Sequence, residues 1–166
     1  MTVITTTNGI LNAIAAAGKG LAARKEEVNR LNVFPVPDGD TGTNMSLTID
    51  MVVDSVAKLP IGASREEVRK AITNGALMGA RGNSGVITSQ IFKGFSLPLQ
   101  SKKTLNAKDL ADAFVSAKEV AYKAVLKPVE GTILTVIRES SDALKKYVAS
   151  KPNASIEACM DYLLEQ

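Results

Sequence analysis

Apolar residues recur along this chain at spacings of three and four, with no convincing alternation at spacings of two. Ile10, Ile14, Ala17, Leu21 and Val28 trace one stripe, which predicts a first helix over residues 7–31. Gly18 and Gly20 fall inside it; each weakens a helix by about 1 kcal/mol relative to alanine, and both are expected to permit close helix packing. A second helix is predicted from Asp40 or Thr41 to Lys58, with Met45, Ile49, Val52 and Val56 on one side, and Leu59-Pro60-Ile61-Gly62 ends it. Ser64-Arg65-Glu66-Glu67 has the form of a capping box, and Val68, Ile72 and Ala76 carry a third helix into Gly75 and Gly79.

The segment Gly79-Ala80-Arg81-Gly82-Asn83-Ser84-Gly85 breaks the pattern before Val86, Ile87, Ile91 and Phe92 open a fourth helix, ending near Gly94 or Ser96. Residues 97–106, with Pro98, Lys102 and Lys103, read as a polar loop. Asn106 with Asp109 opens a fifth helix faced by Leu110, Phe114, Ala117 and Ala121. Lys127-Pro128 interrupts before a sixth, from about Gly131 to Val148. A seventh follows Pro152, with Ile156, Met160 and Leu163 at helical spacing. The fold class is therefore all-α, an antiparallel helical barrel or bundle of about seven to eight helices. A chain of 166 residues can bury one real core, and no repeat or linker divides it, so residues 1–166 read as a single domain. The last helix reaches Gln166 without a cap signal, and the chain is expected to be the N-terminal part of a longer protein.

Composition narrows the chemistry. The chain has no histidine, which excludes histidine acid/base catalysis, histidine triads and histidine metal sites. Its one cysteine, Cys159, excludes an internal disulfide and a cysteine metal cluster, and reads as small core filler. The net charge of +3 (20 basic against 17 acidic residues) is scattered, so no nucleic-acid partner is expected, though a basic balance favours a polyphosphate ligand. No apolar run of about 18 residues occurs, so no transmembrane segment is predicted. With no signal-peptide pattern either, a cytoplasmic location is expected.

The chemistry concentrates in the stretch Asn32-Val33-Phe34-Pro35-Val36-Pro37-Asp38-Gly39-Asp40-Thr41-Gly42-Thr43-Asn44. Two prolines stop a helix and stiffen an extended approach. Asp38 and Asp40 flank a glycine just before a helix starts; such carboxylates repel unless a cation sits between them, and oxygen ligands suit Mg²⁺ or Ca²⁺. Backbone N–H groups of Thr41 to Asn44 then face outward at a helix N-terminus, where anions bind. Taken alone, Pro-Asp-Gly is also an ordinary turn and Asp or Thr an ordinary cap. In 79–89, Asn83 or Ser84 can cap a helix or donate to phosphate oxygens, and the spacing is not that of a P-loop. Arg81 can clamp a phosphate or pair with an acid. In Lys127-Pro128-Val129-Glu130-Gly131-Thr132-Ile133-Leu134, Gly131 and Thr132 open a helix.

Residues 32–45, together with the two later segments, resemble the nucleotide-binding domain of dihydroxyacetone kinases, and more narrowly the N-terminal kinase domain of bacterial fatty acid kinase. The resemblance implies an eight-helix barrel that binds ATP or ADP with Mg²⁺, as two ions. It implies Asp38 and Asp40 as catalytic and metal-binding acids and Asn32 as a further metal ligand. It assigns the nucleotide to Thr41, Gly42, Thr43 and Asn44, to Gly82, Asn83, Ser84 and Gly85, and to Gly131 and Thr132 closing near the adenine. The family pattern has an acid where Asn32 stands, one residue displaced, and its dihydroxyacetone branch has histidine where Thr41 stands; both departures point away from dihydroxyacetone. The implied acceptor is a fatty acid carboxylate presented by a separate fatty-acid-binding protein, with a homodimer possible through regions outside this chain. The alternatives are a dihydroxyacetone kinase subunit and a non-catalytic Mg-nucleotide-binding regulatory module.

Overall fold

The computed structural model describes residues 7–100, 102 and 104–166, apart from the side chains of Thr7, Asn8 and Ile10. Ile10 as a face residue and Lys103 as a loop residue thus lie outside the described residues. The described residues form eight helices and no strand: α1 (Thr7–Ala23), α2 (Lys25–Leu31), α3 (Thr41–Ala57), α4 (Arg65–Gly79), α5 (Gly82–Ser96), α6 (Ala107–Lys123), α7 (Ile133–Ser150) and α8 (Ile156–Leu164). From α3 onward each helix packs on the next in the chain, while α1 and α2 both lie on α3. This is the all-helical bundle expected from the periodicity.

The first predicted helix is in fact two. Arg24, at φ −113° and ψ 12°, leaves the helical region, and its N–H turns back to Leu21 O at 3.0 Å. The break lets α2 swing onto the start of α3, where Gly42 makes room for it. A Cβ on Gly42 would run into Lys25 O and stand 3.0 Å from both Val28 Cβ and Asn29 Oδ1. No glycine or proline stands at residue 24 to signal the turn.

Other glycines set how closely helices approach. A Cβ on Gly75 would lie 2.7 Å from Met51 O and from Ser55 Oγ, and one on Gly79 2.7 Å from Met51 Cβ, so α3 and α4 touch backbone to backbone. Gly94 does the same for α5 against Ala117 of α6. Gly18 meets Ile49, as expected, whereas Gly20 faces open space and serves no close packing.

Two apolar clusters fill the bundle. Val52 and Val56 of α3 meet Val68, Ile72 and Ala76 of α4; at the other end Leu110 of α6 meets Leu144 and Val148 of α7 and Ile156 and Cys159 of α8. Cys159 is fully buried, the core filler expected of it, and burial pushes its thiol pKa up. On α5 the buried positions are Gly85, Thr88, Ser89 and Gly94, while Val86 is exposed. The small hydroxyls turn back on their own helix, Thr88 Oγ1 to Ser84 O and Ser89 Oγ to Val86 O, both at 2.7 Å. The predicted capping box of Ser64 with Glu67 forms, and Asn106 and Asp109, expected to open a helix, do so as a second capping box. The loop before α6 is less polar than its composition: Leu99 and Leu105 line an apolar cavity of about 300 Å³ with Ile14, Ile72, Phe92 and Ile156. Among the described residues no helix is long and apolar enough to cross a membrane.

Candidate functional site

Three loops converge on one cleft of about 870 Å³: residues 32–40 before α3, the start of α5, and the connection between α6 and α7. In the first loop Asn32 acts as a brace. Its Nδ2 donates to Val36 O at 2.8 Å, and its Oδ1 accepts from the N–H groups of Asp40 (3.2 Å) and Thr41 (3.3 Å). Gly39 completes the turn at φ +66°, a conformation costly for residues with a Cβ. Asn29, on α2, adds a second brace: its Oδ1 accepts from Thr43 N and its Nδ2 donates to Thr43 Oγ1, each at 3.0 Å.

The two asparagines thus satisfy N–H groups that a capping carboxylate would otherwise take. Asp40 stands at the N-cap position yet makes no side-chain cap bond. Neither Asp38 nor Asp40 has a side-chain hydrogen bond or ion pair among the described residues, and both line the cleft. The ordinary-cap reading of this stretch therefore fails. The same bonds bear on two other expectations. As a metal ligand Asn32 would have to give up N–H groups that already engage its Oδ1. Of the amides at residues 41–44, those of Thr41 and Thr43 are taken by asparagine, and Asn44 N joins the helix through Asp40 O at 2.9 Å.

The second loop is differently built. Helix α5 starts at Gly82, with extended Arg81 at its N-cap and no side-chain cap bond, so neither Asn83 nor Ser84 caps it. Gly85 N is the first to enter the helix, bonded to Arg81 O at 3.0 Å. The amides at residues 82–84 accordingly have no intrahelical acceptor, and Asn83 and Ser84 line the cleft. Gly82 sits at φ +58°, and a Cβ there would strike the buried Asn44 side chain. Gly85 packs on Thr48. Gly42, Thr43, Asn44, Gly82 and Gly85 are thus absent from the cleft lining, while Asn32, Asp38, Asp40, Thr41, Asn83, Ser84, Gly131 and Thr132 belong to it. Arg81 takes neither expected role: its Nη1 donates to Met78 O (3.0 Å) and Ala80 O (2.8 Å), closing the end of α4.

The third wall hangs on Glu130, whose role sequence reasoning missed. Its carboxylate accepts from Thr135 Oγ1 (2.6 Å), Tyr122 OH (2.9 Å) and Arg138 Nη2 (3.0 Å), tying the connection to both α6 and α7. Gly131 N donates to Thr135 Oγ1 at 2.7 Å, and Thr132 Oγ1, at the N-cap of α7, accepts from Leu134 N and donates to Val129 O. The hydrogen bonds from Thr135, then Tyr122 and Arg138, hold the Glu130 pKa below the ordinary glutamate value. Because the folded-state pKa is the lower one, this contribution to stability is complete above the unfolded-state pKa. It is lost as pH falls through the folded-state pKa. An acid titration followed by the Gly131 amide resonance is expected to show the connection loosening in that window. In Glu130→Gln the step should be absent.

Two hard carboxylates, free of other partners, fit Mg²⁺, which is commonly held by one or two carboxylates and completed by water and phosphate oxygens. No group of three histidine, cysteine or acidic side chains that could hold a metal gathers among the described residues.

Residues 35–166 match the DAK2 domain, and the chain belongs to that kinase-related family of dihydroxyacetone-kinase L-like domains. Its relatives include an uncharacterized protein of Staphylococcus saprophyticus, 46% identical over 153 residues, covering 92% of this chain and 27% of that protein. Protein YloV of Bacillus subtilis is 45% identical over 156 residues, with 92% and 27% covered. An uncharacterized protein of Staphylococcus aureus is 44% identical over 165 residues, with 90% and 30% covered. The chain thus spans less than a third of the length of these relatives.

Proposed function

We propose that this chain is the Mg-ATP-binding domain of a kinase that phosphorylates a fatty acid carboxylate presented by a separate binding protein. The observation that carries the metal-nucleotide part is the freedom of Asp38 and Asp40 at the cleft, with two asparagines doing their capping work. Bound there, Mg²⁺ would neutralise phosphate charge and so favour displacement at phosphorus. Asp38 and Asp40 would hold the ion, and the amides ahead of Gly85 would hold phosphate oxygens at the start of α5. The apolar residues Met45, Ile87, Val129 and Ile133 give a base a surface to lie on.

The acceptor is argued from the residues that depart from the dihydroxyacetone pattern, Asn32 and Thr41, and from the absence of histidine in the chain. A carboxylate oxygen attacks the γ-phosphorus, the bond from that phosphorus to the bridging oxygen breaks, and ADP leaves with acyl phosphate as the other product. A carboxylate is already ionised at neutral pH, so no general base is required.

The full natural chain, incubated with Mg-ATP and oleate, is expected to release ADP only when a fatty-acid-carrying protein is added. Omitting Mg²⁺ should abolish nucleotide binding measured by calorimetry. Equal nucleotide affinity in excess chelator would sink the metal bridge. Carrier-independent turnover on free oleate would sink the two-protein scheme, and turnover on dihydroxyacetone would install the rival substrate.

A further inference from the structure

We propose that Lys127 is a nucleotide-binding residue of this cleft, its ammonium meeting the phosphate oxygens opposite Asp38 and Asp40. This rests on the nucleotide reading of the cleft and adds to it a residue and a role. Among the residues lining the cleft, Asp38, Asp40 and Lys127 are the charged ones. A nucleotide polyphosphate is repelled by the two acids, and a cation lining the same cleft offsets what a metal ion leaves over.

Lys70, Lys102, Lys108 and Lys118 are paired with Glu66, Asp109, Asp112 and Asp142, and lysines without an ion pair among the described residues, such as Lys58 and Lys93, do not line the cleft. Lys127 has no such partner among the described residues and stands exposed. The arginines that could have served instead are engaged elsewhere. Arg81 closes α4, and Arg138 holds Glu130 and Glu139.

The backbone that carries Lys127 is also fixed in place. Pro128 comes next, restricting the conformation of Lys127 to the extended region. Three residues on, Glu130 is fastened to Tyr122, Thr135 and Arg138. A compact ammonium on a flexible stem, anchored at its base, suits a phosphate chain as a point charge.

The test is calorimetry on the full natural chain, with Mg-ATP and Mg-ADP as probes and adenosine followed by ligand-observed NMR. Lys127→Met is expected to weaken both Mg-nucleotides roughly ten- to a hundredfold, the loss of one charged hydrogen bond, and to leave adenosine unchanged. Lys127→Arg should keep most of the affinity. If wild type binds Mg-ATP and Lys127→Met binds it equally, the role of Lys127 is overturned while the nucleotide reading stands. If Lys127→Met loses adenosine in the same proportion, the residue shapes the loop rather than meeting phosphate, and the proposal is overturned. A wild-type chain that binds no nucleotide overturns the reading of the cleft and this proposal with it.

Discussion

Asp40→Ala, and separately Asp38→Ala, is expected to lower kinase turnover at least as much as deleting one preorganised electrostatic group, roughly 10²–10³-fold. The same variants should unfold in urea within about 0.5 kcal/mol of wild type, as surface substitutions do. The two halves have one cause. Neither carboxylate has a side-chain partner among the described residues, so removing it orphans no protein group. Braces at Asn32 and Asn29 keep the loop and the start of α3 in place. Relief of repulsion between the acids can even raise apo stability. The decisive pairing is turnover against apo unfolding. A destabilisation of about 2–5 kcal/mol, the scale of a core truncation, would mean that the acids are structural after all.

The second large effect is expected at Gly82, where site and fold share one residue. Gly82→Val must adopt a left-handed backbone, costing roughly 1–2 kcal/mol for a residue with a Cβ. It must also displace the Asn44 side chain, an overpacking cost of about 1–3 kcal/mol. Urea unfolding should register about 2–5 kcal/mol in total, and nucleotide binding should fall even below the unfolding transition, because the amides of Asn83 and Ser84 move with the turn. Gly20→Ala, in open space on a helix, is the control and should stabilise by up to about 1 kcal/mol. An unchanged Gly82→Val would show that α5 tolerates another start.

Much of this was legible in the chain because packing repeats at helical spacing: Val68, Ile72 and Ala76 are buried together as their register requires. The Ser64 capping box and the starts of α3 and α6 were equally readable, since local hydrogen bonding decides them. The break at Arg24 was not, for it is set by a tertiary contact, the seat that Gly42 offers α2. The site was legible as three segments and illegible as a division of labour. Asn29 looks like one more residue of a polar helix, yet it caps a helix 14 positions on. Asn83 and Ser84 look like caps, but α5 begins just before them. Glu130 looks like a solvated charge, and only the folding of α6 against α7 supplies it with three donors.

The connection between α4 and α5 is two residues, Ala80 and Arg81, and the helix before it is locked to α3 through Gly75 and Gly79. Such a hinge has no slack to absorb a change in length. Ala80 and Arg81 are both extended, a conformation that advances the chain by about 3.3 Å per residue. One residue inserted between Gly79 and Gly82 would therefore shift the start of α5 and carry Asn83 and Ser84 off the cleft while leaving every side chain of the site intact. The spacing of two helices is in this sense as much a component of the site as its carboxylates. Length variation in this family should accordingly fall in the longer connections before α6 and α7, and spare this one.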